Sequence, residues 1–385
     1  MQQSTLDPRR YQLKRDALRA VLQGHPWVFR GSLSSAAGVF RDGQWLRLYD
    51  GQNQIVGYGI YEAEGAVGIR LVRRGDRPPD AAWLEKQVLG ALERRADLRK
   101  TTSAWRALHG ENDLVPGVNF DVYGQVGVLQ TYSRGTDVLG RWAAGVAARL
   151  LGLEAVLWRM PTRRAGSTRE VRTLRGEVPA EVAVREAGLT YHVDPLGGQK
   201  GGFYLDLRGL RRWVLERPLA GLRVLNLFSN TCTLGLAAET AGAFEVWNVD
   251  SSEAALAFGE KHHTRRPGVQ RFVEADAFHY GERLLPGEKF DLIVCDPPSM
   301  TGHSDQVPVA LARYQRTYSH LRDHVAEGGV LVAACCTSRI PRQKFRETVS
   351  GVLKNWEVIA DIGPEPDHPV RFPEADYLKI YAFRR

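Results

Sequence analysis

Cysteine is scarce in this chain: there are four, at positions 232, 295, 335 and 336, among 385 residues. So low a density argues against a disulfide scaffold, and no CxxC pair or Cys/His spacing offers a zinc site. The expectation is reduced thiols in the cytoplasm and no metal. Long apolar runs are missing as well. No stretch approaches the ~18 apolar residues that span a membrane. Met1 to Tyr11 is polar and lacks the apolar centre of a signal peptide. A G-x-G-x-x-G fingerprint is also absent where a dinucleotide fold would carry it, which weakens a dehydrogenase reading without eliminating it.

What is present describes a folded soluble protein of two or three domains, 43% hydrophobic and 25% charged. The formal net charge of +8 and a pI near 9.4 favour a polyanionic partner, although a solvated basic surface would give the same figures.

Residues 1–77 carry a β signal. Gln44 to Tyr49 alternates, Asp42-Gly43 and Asp50-Gly51 are hairpin-turn dipeptides, and Val56 to Tyr61 and Ala66 to Val72 read as further strands. A small β-barrel is expected, closed off by Pro78-Pro79. Residues 78–185 read as a central α+β domain. Asp80 is placed to cap a helix running to about Arg99, followed by strands at Val118–Tyr123 and Val126–Tyr132, a helix at Val138–Leu151 and a strand at Ala155–Met160. Arg159, Arg163, Arg164, Arg169, Arg172 and Arg175 then crowd a stretch suited to phosphates, or merely to water.

In residues 186–385 the class changes to α/β. After a hairpin at Val182–Glu186 and Leu189–Val193, strands alternate with helical lengths. The strands are Leu222–Phe228, Phe244–Asp250, Phe272–Glu274, Phe290–Cys295, Val330–Cys335, Trp356–Ile362 and Leu378–Phe383. This predicts a doubly wound seven-stranded sheet with its ligand at the strands' carboxyl ends and its last two strands antiparallel.

The first strand leads through Asn226 and Phe228 into a small polar turn around Asn230, which lets backbone approach a ligand. The second ends at Asp250-Ser251, where a carboxylate can bind both hydroxyls of a ribose. The third ends at Asp276-Ala277, where an adenine would lie, and the fourth at Asp296-Pro297-Pro298. Any one of these acids would serve as a helix cap. Together they favour a nucleoside ligand.

Several of these segments resemble the RlmI-type 23S ribosomal RNA cytosine-5 methyltransferase family. Gly198 to Arg208, reading GQKGGFYLDLR, resembles its G-Q-K-T-G-F-F-L-D-Q-R signature. Leu222 to Asn230 resembles its V-L-N-L-F-S-Y-T-G cofactor motif, Asp296-Pro297-Pro298 its D-P-P-K-F, and Gly328 to Thr337 its G-G-I-L-V-x-x-S-C-S stretch. Gly24 to Phe29 and Gly110 to Gly117 resemble the signatures of its PUA and central domains. Gly201, Leu207, Cys232, Ser299 and Met300 depart from the pattern. The resemblance implies S-adenosylmethionine as cofactor, a PUA-like barrel ahead of the central and methyltransferase domains, and Phe203, Asp206 and Arg208 closing the cofactor site. Hairpin packing and helix capping are the plainer roles for Phe203 and Asp206.

Cytosine C5 is a poor nucleophile, and covalent addition of a thiolate at C6 activates it. Cys335 and Cys336 end the strand expected beside the one bearing Asp296, and adjacent strand residues face opposite ways, so one of the two reaches the base. The resemblance places Cys336 on the family's cysteine, and either thiol would otherwise be a small buried hydrophobe. Asp296 is its expected acid–base partner, while Cys232 and Cys295 read as packing residues.

The implied partner is RNA, specifically 23S ribosomal RNA, flipped or single-stranded at the target. A homodimer is compatible with the sequence, which does not set the oligomeric state. Guanine-N7 methylation, which needs no cysteine, and a non-catalytic RNA-binding ribosome assembly factor are the alternatives.

Overall fold

The computed structural model describes residues 7–161, 170–197, 202–282 and 287–385. Arg163, Arg164 and Arg169 of the arginine-rich stretch, and Gly198 to Gly201 of the glycine-rich signature, lie outside the described residues. The chain divides into two compact units, Met1–Val182 and Ala183–Arg385.

The first unit opens with β1 (Arg9–Gln12), α1 (Arg15–Leu22), β2 (Trp27–Phe29), β3 (Trp45–Tyr49), β4 (Ile55–Tyr61) and β5 (Val67–Arg74). The expected barrel takes the form of a five-stranded sheet ordered β1-β3-β4-β5-β2. Alternation in β3 buries Leu46 and Leu48 against this domain's core. The helix α1 was hidden in a region that reads as β; Ala17 and Val21, one helical turn apart, are its buried residues. Asp50-Gly51 joins β3 to β4, with Asp50 accepting the N–H groups of Gln52 and Gln54. Asp42-Gly43 is not a hairpin turn. Asp42 instead accepts the N–H of Ala63 at 2.9 Å at the entry to β3.

The central sheet comprises β6 (Ala104–His109), β7 (Val118–Tyr123), β8 (Val126–Thr131), β9 (Ala155–Arg159) and β10 (Val171–Arg175). It is preceded by α2 (Ala81–Glu93) and α3 (Leu98–Thr101), and β8 crosses to its parallel neighbour β9 through α4 (Asp137–Leu151). Asp80 caps α2 by accepting the N–H of Trp83 at 2.7 Å. The helix stops at Glu93, short of Arg99, because the chain turns at Arg95. That residue's fully buried guanidinium is held by Asp113 at 2.6 Å and by the carbonyl of Arg106. Trp27 and Glu111, one from each N-terminal signature, are themselves hydrogen-bonded at 2.7 Å.

In the second unit a hairpin, β11 (Val182–Glu186) and β12 (Leu189–Val193), turns at Ala187 and Gly188, both with positive φ. There follow α5 (Arg208–Leu215), β13 (Arg223–Leu227), α6 (Thr233–Thr240), β14 (Glu245–Asp250), α7 (Glu253–His262) and β15 (Gln270–Glu274). The remainder is α8 (Ala277–Glu282), β16 (Phe290–Cys295), α9 (Val307–Arg322), β17 (Val325–Cys335), α10 (Arg342–Val352), β18 (Glu357–Ile362) and β19 (Lys379–Arg384). The seven strands are ordered β15-β14-β13-β16-β17-β19-β18. β19 runs antiparallel to both its neighbours, and β13 through β17 are parallel. One face packs Leu225, Ile293, Leu331 and Tyr381 against Tyr314, Tyr318 and Phe345 of α9 and α10. The other packs Val224, Val294 and Val332 against Leu210 and Ala237 of α5 and α6. The strand order reverses between β13 and β16, so a crevice is expected at their carboxyl ends.

Candidate active site at the strand tips

The turn after β13 has unusual backbone. Phe228, Asn230 and Cys232 all adopt positive φ, at 61°, 47° and 58°. Such values are costly for residues with a Cβ and persist where surrounding contacts enforce them. Here Asp250, at the tip of β14, accepts the N–H of Asn230 at 2.8 Å through one carboxylate oxygen and that of Ser252 at 3.0 Å through the other. Asn230 accepts the N–H of Thr231 through its own side chain at 2.8 Å. Each Asp250 oxygen keeps lone-pair capacity, as a group that binds a ribose diol requires. Ser251 beside it is exposed. Phe228 meets Phe278 edge to face at 4.6 Å, and Arg313 lies 3.8 Å over the Phe278 ring. Asp276 accepts the N–H of Phe278 at 2.9 Å and lies 3.0 Å from His279, which is the capping role open to it from the sequence. Ala277 is buried against the sheet.

The tips of β16 and β17 adjoin, with Cys295 opposite Ala333. One residue beyond β17, the Cys336 thiol donates to the carbonyl of Pro297, with Sγ 3.5 Å away. Thr337 fixes the same corner by accepting the N–H of Met300 through its hydroxyl at 3.1 Å. Cys336 is half-buried and the other three cysteines are buried. Burial pushes the Cys232 thiol up to about 12 and raises those of Cys295 and Cys335, which therefore stay protonated and inert.

Not every expected residue faces this crevice. Asn226 points to the opposite face, where its amide donates to Asn248 at 2.9 Å and Asn248 donates to Gln270 at 2.7 Å. Side chains alternate along β13, so Asn226 sits with Val224 rather than with Leu225 and Leu227. Arg208 is buried and committed to protein carboxylates. It bonds Asp367 at 2.9 and 3.0 Å and Glu186 at 3.1 Å, contacts that brace α5. Phe203 is fully buried, between Tyr191 at 5.2 Å and the Arg211 guanidinium at 4.1 Å. Asp206 receives the hydroxyl of Tyr377 at 2.6 Å.

Tyr204 is a residue that sequence reasoning alone does not single out. Burial raises its hydroxyl, and negative charge on Asp296, Asp206, Cys336 or Asp250 acts in the same direction. Its only signal is substitution: tyrosine replaces the second phenylalanine of the family signature.

A family of S-adenosylmethionine-dependent methyltransferases matches residues 125–384, and a PUA-like domain matches residues 12–74. A Ribosomal RNA large subunit methyltransferase of Deinococcus radiodurans is 31% identical over 93% of each chain. The chain belongs to the RlmI-type S-adenosylmethionine-dependent methyltransferases. The methyltransferase is also 29% identical to Ribosomal RNA large subunit methyltransferase I of Klebsiella pneumoniae, over 95% of this chain and 96% of the relative. Its fold is that of a SAM-dependent methyltransferase of Streptococcus mutans, with a TM-score of 0.86 at 19% identity over 98% of this chain and 100% of that one. A methyltransferase solved with S-adenosylhomocysteine shares the fold at a TM-score of 0.84 and 19% identity, over the same shares of each chain. The lone pairs of Asp250, the Phe228–Phe278 pair and the small Ala277 fit the ribose and adenine of that cofactor.

Proposed function

We propose that this methyltransferase forms 5-methylcytosine in 23S ribosomal RNA, with Cys336 as nucleophile and Asp296 as its acid–base partner. The observation that carries the reading is the position of Cys336. Of four thiols it alone is not buried, and it rests against the Asp296-Pro297-Pro298 segment. When bound, S-adenosylmethionine supplies an electrophilic methyl group.

The residues divide the remaining work. The Cys336 thiolate bonds to C6 of cytosine while Asp296, protonated, stabilises the charge that grows at N3. C5 then takes the methyl group. A base removes the C5 proton, and the C6–S bond breaks to restore the thiolate and the aromatic ring. Asp250 and Asn230 hold the ribose of the methyl donor, with Ser251, Asp276 and Ala277 around its adenosine. Phe203, Asp206 and Arg208 support this site from the α5 side.

The partner follows from charge and kinship. The chain carries +8, includes a PUA-like domain, and has relatives named for ribosomal RNA methylation. Among the described residues no helix is long and apolar enough to cross a membrane, and we place the enzyme in the cytoplasm with its ribosomal substrate.

RNA bearing 5-fluorocytosine tests the reading, because fluorine at C5 blocks the elimination step. A denaturation-resistant protein–RNA adduct is expected with the wild-type protein and with Cys335→Ala, and none with Cys336→Ala. An adduct that persists in Cys336→Ala removes the assignment. Methylation of guanine N7 would proceed in that variant unimpaired.

A further inference from the structure

A fully buried lysine at the start of a mostly apolar strand needs an explanation. Lys379 opens β19, pairs with Cys335 across the β17–β19 ladder, and is fully buried. Its ammonium donates to the carbonyls of Thr337 at 3.0 Å and Tyr377 at 3.1 Å. Both acceptors are neutral. Burying a charge in this way costs several kcal/mol, by order of magnitude, and an apolar residue of similar volume would be favoured on stability alone. The cation therefore has a use that packing does not supply.

Its anchor indicates that use. Thr337 directly follows Cys336, so the ammonium is fixed to the turn that carries the nucleophile. We infer that Lys379 is a positioning residue for methyl transfer, whose buried positive charge stabilises the Cys336 thiolate and whose two hydrogen bonds hold the Cys336–Thr337 turn in place. This inference rests on the covalent role proposed for Cys336.

The groups facing that thiol show why a cation is needed. From the β16 tip comes the Pro297 carbonyl, an acceptor that favours the protonated thiol, next to Asp296, whose carboxyl group would repel a thiolate when ionised. Tyr204 contributes from the segment before α5 and Tyr314 from α9, both neutral at physiological pH; Cys335, the preceding residue, is neutral as well. Asp376 and Arg342, which pair with each other at 2.8 Å, act on Lys379 in opposite senses. Lys379 is thus a buried cation that bonds the carbonyl of the residue next to Cys336, reaching that turn from the face of its ladder partner Cys335. Burial lowers its pKa, while Cys335, Asp376 and Cys336 each act to hold the proton on.

Alkylation of Cys336 by iodoacetamide, followed against pH by peptide mass spectrometry, reads the thiolate directly and needs neither RNA nor methyl donor. In the wild-type protein the midpoint is expected below the ~8.5 of a free thiol. In Lys379→Met it should rise by about one pH unit or more, the size of a nearby-charge effect. Lys379→Arg, which keeps the charge, should retain the low midpoint and serves if the methionine variant does not fold. A wild-type midpoint at or above 8.5, an unchanged midpoint in Lys379→Met, or a raised one in folded Lys379→Arg would each overturn the inference. The fluorocytosine adduct remains a separate readout. Loss of the adduct together with a normal thiol titration would reject the covalent role and leave the Lys379–Cys336 coupling standing.

Discussion

The backbone N–H of Asn230 donates to the Asp250 carboxylate at 2.8 Å, so the group proposed to bind a ribose also sets the turn around it. Removing that carboxylate costs the ligand a charged acceptor and leaves the N–H groups of Asn230 and Ser252 to find water. Asp250→Ala should weaken binding of S-adenosylhomocysteine by ~10–100-fold, about 1.5–3 kcal/mol, measured by calorimetry. Asp250→Asn keeps one acceptor and should lose less. Unchanged affinity in both variants would show that the ribose is held elsewhere.

His263 gives the fold a dependence on pH. It is fully buried. Its Nδ1 faces the Thr231 carbonyl in the cofactor turn, and its Nε2 accepts the N–H of His192 at 3.0 Å. A neutral ring with the proton on Nδ1 satisfies both contacts, and protonation would set an N–H against the His192 N–H. Burial lowers its pKa from 6.5 to about 4. A base depressed in the folded state contributes fully above the unfolded value near 6.5 and loses that contribution as pH falls toward 4. The loss is ~3 kcal/mol, by order of magnitude. Urea midpoints between pH 7 and pH 4 should fall accordingly, and His263→Gln should flatten the slope. An equally steep slope in that variant would assign it to other groups.

Arg208 should prove a stability residue. Arg208→Met would leave Asp367 buried without its guanidinium partner and Glu186 dependent on Arg211 alone. A cost of about 3–5 kcal/mol is expected in chemical denaturation, as for other broken buried ion pairs. The affinity of the folded fraction for S-adenosylhomocysteine should change by less than about threefold. A large affinity loss with little loss of stability would return Arg208 to the cofactor site.

Cys335 offers the contrast to its neighbour. It is fully buried among the residues packed on α9 and α10, so Cys335→Ala should cost ~1 kcal/mol of stability. Methyl transfer per folded molecule should be retained. Loss of turnover without loss of stability would transfer the nucleophile's role to Cys335.

The strand tips were legible because hydrophobic runs ending in Asp250, Asp276 and Asp296 have one period and one meaning in a parallel sheet. The pairing of β16 with β17 followed from the same rule. Less could be read from single positions. Asn226 was assigned by its place in a motif, and only the strand's alternation, set by which face α6 covers, shows that it points away. Arg208 could not be read alone either, because its carboxylate partners Glu186 and Asp367 are distant in sequence. Cys232 shows that a departure can still be read physically. The family's glycine position needs positive φ, and the cysteine accepts it while packing against Gly259, whose missing side chain makes the room. α1 escaped because its eight residues lie within a β-rich stretch.

The insertion of β19 between β17 and β18 has a consequence for synthesis. A nascent chain still threaded through the ribosomal exit tunnel has a gap in its sheet where residues 379–384 belong, and the corner bearing Cys336 lacks its ammonium. The corner bearing Cys336 is therefore completed only when that strand docks. A chain that stalls before that strand emerges carries the methyl-donor pocket's sequence, but not a competent enzyme.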